Sequence, residues 1–164
     1  MTDLARYMMN PTKDAFNEFC RKAGGRRNSG SWYVSGIGVT TVLNLQTSQY
    51  GRQHYVNVSL WLGAIVGKPP LSNRCHIGTR LERIATPSDE REIEEVFDLE
   101  RSADDRQRRL TQLLERYLSP ILIATKQPEW VQNPAIQQLL SRSLITRDGL
   151  RMLDELAGQI ESDK

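Results

Sequence analysis

The sequence predicts an α+β domain in which a run of antiparallel strands from Ser31 to Arg83 lies between an N-terminal helix and a C-terminal helical segment, residues 89–160. Three observations carry this reading. Side chains alternate with period two between Thr40 and Leu62, apolar residues recur at three- and four-residue spacing on either side of that run, and turn-forming residues separate the pieces. A length of 164 residues suits one core, so 1–164 is read as a single domain holding a small sheet of about four strands, with disorder expected only at the ends, notably 1–10.

Thr12 is the expected N-cap of the first helix, whose stripe is Phe16, Phe19 and Cys20, and Gly24 and Gly25 stop it. Residues 26–30, Arg26 to Gly30, read as a polar turn ahead of a strand begun by Trp32, Tyr33 and Val34 and limited by Gly36 and Gly38. From Thr40 to Thr47, Leu43 and Leu45 point one way and Asn44 and Gln46 the other. From His54 to Leu62, the side chains of Val56, Val58, Leu60 and Leu62 oppose those of Tyr55, Asn57, Ser59 and Trp61, and the short turn between the two runs predicts a hairpin. Lys68-Pro69-Pro70 is a loop, because proline donates nothing to a ladder. A last strand is expected from Cys75 to Leu81, with His76 and Arg80 on one side.

Beyond Pro87 an acidic helical stretch runs from Asp89 to Glu100. Ser102 and Asp105 form a variant capping box for a long helix with the stripe Leu110, Leu113, Leu114, Tyr117, Leu118 and Leu122, which Pro120 is expected to kink or restart. Shorter helices follow around Ala135 to Leu140 and Arg147 to Ile160.

Composition narrows the function classes. Hydrophobic residues at 38% and dispersed charged residues at 26% describe a globular chain with a well-solvated surface. No apolar run reaches the roughly 20 residues of a spanning helix, and the N-terminus lacks the pattern of a secretion signal. Two cysteines, Cys20 and Cys75, do not make a disulfide framework and read as small buried side chains, so the expected location is the cytoplasm. Lysine plus arginine number 22 against 20 acids, a net charge of +2 that sets up no global field for nucleic acid or an acidic membrane.

Catalytic and metal chemistry find little support. Cys75 and His76 are adjacent in an extended strand and point apart, so they form no nucleophile and base pair. Cys20, His54, Cys75 and His76 lack the close ligand pairing of a zinc site, and Gly36-Ile37-Gly38 lacks the third glycine and the helix of a dinucleotide loop. The acids of the 89–100 stretch are spaced as a solvated helical face. No cofactor or metal is expected, and the chain is read as a non-catalytic binding protein.

The strings Leu43-Asn44-Leu45-Gln46-Thr47-Ser48, His54-Tyr55-Val56-Asn57-Val58 and Cys75-His76-Ile77-Gly78-Thr79-Arg80 together resemble, in order and spacing, the bacterial family called domain of unknown function 4304. The resemblance covers about Lys13 to Leu122, and the last helices lie outside it. It implies small stand-alone cytosolic proteins, some encoded beside polymorphic toxins, and hence an immunity protein that neutralises a cognate toxin. It implies no catalytic residue.

The strongest candidate site is the polar side of the sheet: Asn44, Gln46, Tyr55, Asn57, Ser59 and Trp61, joined by His76 and Arg80. Rigid rings beside directional amides suit a protein partner, provided helices do not cover that side. The alternative is a nucleic-acid-associated or regulatory module using Arg21, Lys22, Arg26 and Arg27 with Trp32 and Tyr33, or Arg106, Arg108 and Arg109. Near-neutral charge and interleaved acids weigh against it, and the near-neutral charge also makes a strongly basic toxin a less natural partner, since such a toxin is best met by an acidic surface.

Overall fold

In the computed structural model, which describes residues 10–100 and 105–164, the first helix is α1, Pro11–Lys22. The disorder expected of residues 1–10 falls almost wholly outside the described residues, as does Ser102. The cap of α1 is Asn10 and not Thr12: the Asn10 side chain accepts from the Lys13 amide at 3.0 Å, and Pro11 occupies the first helical position, where its fixed φ and missing N–H cost nothing. Thr12 is instead buried in the first turn.

The sheet has six strands where about four were expected, all antiparallel and in chain order β1-β2-β3-β4-β5-β6. They are β1 Arg26–Asn28, β2 Ser31–Ser35, β3 Val39–Thr47, β4 His54–Leu62, β5 Ile77–Arg80 and β6 Leu144–Ile145. β1 replaces part of the predicted polar turn. Its three residues are all exposed and carry no apolar side chain, so it has no alternation to read, and its two arginines suit an edge that must not pair with another chain. β6 is only two residues long and is recruited from between two helices, pairing Ile145 with Ile77 and Leu144 with Gly78. β5 begins at Ile77, two residues later than predicted, because a 3₁₀ turn at Ser72–Arg74 holds Cys75 outside the ladder.

Helices α2 (Leu81–Ile84) and α3 (Pro87–Phe97, capped by Thr86) lead to α4 (Arg106–Ala124). Helix α4 runs unbroken through Pro120, which did not restart it; that side chain is exposed, as is that of Arg116 one turn earlier. Asp105, in the left-handed region, is the N-cap of α4. A 3₁₀ turn at Trp130–Gln132, then α5 (Pro134–Ser141) and α6 (Arg147–Ser162), complete the chain.

The two faces of the sheet have separate fates. Leu43, Val56, Val58 and Leu60 are buried with Phe16, Leu110 and Leu114, so α1 and α4 and their neighbours cover the apolar face. Thr41 lies on that face, opposite Leu60, and its hydroxyl has no hydrogen-bond partner among the described residues. A buried hydroxyl without a partner costs about 1 kcal/mol or more, and valine has the same shape. Thr41→Val is therefore expected to stabilise the fold by about 1 kcal/mol in chemical denaturation. A destabilisation of that size would mean that the hydroxyl has a partner after all.

Candidate binding groove on the polar sheet face

Antiparallel register places Ser31, Asn44, Asn57 and Arg80 in one row across four strands on the face opposite the helices. The amides in it are linked: Asn57 Nδ2 donates to Asn44 Oδ1 at 3.3 Å and to Gln46 Oε1 at 3.0 Å, and Asn44 Nδ2 donates to the Gly30 carbonyl at 3.3 Å. These bonds hold the amides in fixed orientations and use up the donors of Asn44 and Asn57, leaving oxygen lone pairs and the Gln46 Nε2 donors for another molecule. Among the described residues, α1 and α4 pack on the opposite face.

One end of the face is roofed by the chain itself. The segment after β4 folds back over it, with Tyr33 donating its hydroxyl to the Pro70 carbonyl at 2.8 Å and Ser59 Oγ lying 2.7 Å from Ser72 Oγ. Val42, which shares the polar face, is fully buried there. Roof and open row together enclose a groove of about 850 Å³. Its floor is Asn44, Gln46, Asn57 and Ser59, one wall is the 71–75 stretch, and the other combines Arg80 and Arg83 with Arg142, Leu144 and Thr146. Thr79 Oγ1 donates to the Arg142 carbonyl at 2.8 Å, which ties the end of α5 to β5, and the Thr146 amide donates to the His76 carbonyl at 2.8 Å, which fixes the start of α6.

Of the eight residues expected at the site, the structure brings five into this groove: Asn44, Gln46, Asn57, Ser59 and Arg80. Tyr55 sits beside it, its ring under Arg80 with the guanidinium carbon 4.3 Å from the ring centroid, a cation–π contact that steadies the arginine. Trp61 and His76 are set apart from the groove. Their rings stack at 4.2 Å, His76 Nδ1 accepts from the Leu62 amide at 2.9 Å, and Trp61 donates to the Ala64 carbonyl at 3.2 Å. Burial lowers the His76 pKa, in keeping with a neutral structural ring. Sequence reasoning missed Arg83, Arg142, Leu144 and the 71–75 wall, because each is brought to the strands by a turn or a short helix and not by strand periodicity.

Both cysteines and His54 are buried. Burial pushes the thiols of Cys20 and Cys75 up to about 12, so both stay protonated, and Cys75 donates to the Leu71 carbonyl at 3.5 Å. His54 is buried beside Asn10 and Thr47, and desolvation lowers its pKa. Several members of the predicted basic clusters are paired or buried, while Arg26 and Arg27 stay exposed on β1. Lys22 pairs with Glu18, Arg108 with Asp105 and Arg109 with Glu92 and Glu95, while Arg106 is buried and donates to the Asp98 carbonyl at 2.8 Å. Trp32 is buried and donates to Asn17 at 3.0 Å, so it offers no face to a base.

No group of three or more side chains suited to a metal ion occurs among the described residues, and none of the helices there is long and apolar enough to cross a membrane. A family described as Domain of unknown function (DUF4304) matches residues 16–124, which takes in α1 from Phe16 onward, the first five strands and all of α4. No curated protein and no solved structure matches the chain.

Proposed function

The chain belongs to the DUF4304 family, whose description assigns no activity, and from that premise we propose that it is a non-catalytic protein-binding domain of the immunity type. It acts in the cytoplasm and neutralises a cognate bacterial toxin by seating part of it in the groove on the polar sheet face. The observation that carries this reading is the open row of oriented amides, bordered by two exposed aliphatic side chains, Leu71 and Leu144. Aliphatic anchors beside directional polar groups are the ingredients of a protein interface. The groove's one thiol is protonated, and no histidine lines it among the described residues to serve as a base.

The test is co-expression with the product of the adjacent reading frame. A stable complex and loss of toxicity are expected, with Leu144→Ala and Asn57→Ala each weakening the complex about tenfold while leaving the thermal melt unchanged. A complex indifferent to both substitutions would place the interface elsewhere. Failure of the two proteins to associate would remove the immunity role.

A further inference from the structure

Charge within the groove narrows the chemistry of what it takes. Three arginines, Arg80, Arg83 and Arg142, line it, and no aspartate or glutamate does among the described residues. Some arginines elsewhere are matched by acids of the same chain, Arg109 by Glu92 and Glu95, Arg116 by Asp89, and Arg151 by Asp148 and Glu155, while others such as Arg26, Arg27 and Arg147 form no ion pair among the described residues but do not line the groove. The three groove arginines form no ion pair among the described residues. Glu82, which lies close enough to feel the fields of Arg80 and Arg83, lines a separate crevice under Tyr55 and His54. In a chain of net charge +2, three guanidinium groups around one polar trough make a local anion-selecting field that the total charge conceals.

We infer that the occupant of the groove is an acidic, extended polypeptide segment of the partner, its carboxylates held by Arg80, Arg83 and Arg142. This rests on the protein-binding reading above and adds the chemistry of the partner. Guanidinium groups match carboxylates with two parallel hydrogen bonds, a geometry that lysine lacks. The side-chain oxygens of Asn44 and Asn57 supply acceptors and Gln46 Nε2 supplies donors for a peptide backbone, and Leu144, 81% exposed, offers an aliphatic contact between acidic positions. No aromatic ring lines the groove among the described residues, so a nucleotide or single strand would find nothing there to stack on.

The experiment is fluorescence anisotropy of a labelled glutamate-rich decapeptide, with a serine-substituted peptide, inorganic phosphate and oligothymidylate as the other probes. The glutamate peptide is expected to bind and to weaken as salt rises, whereas the serine peptide does not bind. The triple variant Arg80→Gln, Arg83→Gln, Arg142→Gln should lose at least about tenfold in affinity, and the triple lysine variant should recover only part of it. Equal binding of the two peptides, or displacement of the glutamate peptide by phosphate or oligothymidylate at lower concentration than by unlabelled peptide, overturns the inference. In the partner complex, a triple glutamine variant that binds normally while Leu144→Ala does not would overturn the acidic occupant and leave the protein-binding reading standing.

Discussion

Gly36→Ala is expected to lower the melting temperature by about 6–12 °C, although the residue sits in a hairpin turn. The hairpin between β2 and β3 turns through Gly36-Ile37-Gly38, closed by the Gly36 amide donating to the Val39 carbonyl at 2.7 Å, with Gly38 in the left-handed region. Its tip is docked on the end of α4. The Ile37 amide donates to the Thr125 carbonyl at 2.8 Å, and Trp130 Nε1 donates to the Ile37 carbonyl at 2.9 Å. A methyl group on Gly36 would stand 2.4 Å from the Thr125 carbonyl oxygen and 2.9 Å from its carbon. Both are backbone atoms at a helix terminus and cannot rotate away, so the tip must lift. Lifting it breaks two hydrogen bonds and loosens the packing of the buried Trp130, together about 3 kcal/mol. A melt within about 1 °C of wild type would show that the hairpin tip is not docked as described.

Gly149→Ala sets two effects of opposite sign against each other. Gly149 is the third residue of α6, its amide donating to the Thr146 hydroxyl at 3.0 Å, and helix propensity alone favours alanine over glycine by up to about 1 kcal/mol. Tertiary contact opposes this. The added carbon would meet the His76 carbonyl oxygen at 2.9 Å, Ile145 Cγ2 at 3.1 Å and His76 Cβ at 3.2 Å. Overpacking of this kind costs about 1–3 kcal/mol, and the propensity gain is smaller in a first turn whose amides are already capped. The net expectation is destabilisation by about 1–2 kcal/mol in urea. Because α6 and β6 are pressed onto β5 at this point, the wall that carries Leu144 should shift with them, weakening the glutamate peptide as well. Stabilisation of the fold by Gly149→Ala would mean that α6 lies further from β5 than these contacts require.

Groove and core differ in how they are encoded. On the apolar face, Leu43, Val56, Val58 and Leu60 occupy every second position of two long strands, and burial of such a face locks the register, since a one-residue slip would expose all of them. The same alternation fixes Asn44, Asn57 and Arg80 on the opposite side, which is why these groove residues could be named from the chain alone. Trp61 and His76 obey that alternation too. Their distance along the strands, not their facing, takes them out of the groove, and alternation says nothing about which part of a face is roofed.

The sequence by itself determined the α+β class, the central hairpin, the four long helical segments and the polar identity of one sheet face, because each follows from a local period of 2 or about 3.6 residues with recognisable stops. Only the tertiary structure decided that α1 and α4 cover the apolar face, that the 71–75 stretch roofs one end of the other, and that β1 and β6 extend the sheet to six strands. Only it gathered Arg80, Arg83 and Arg142 around one trough. Those outcomes depend on contacts such as Gly78 with Leu144 and Thr79 with Arg142, across more than 60 positions of chain, and no local pattern of side chains records them.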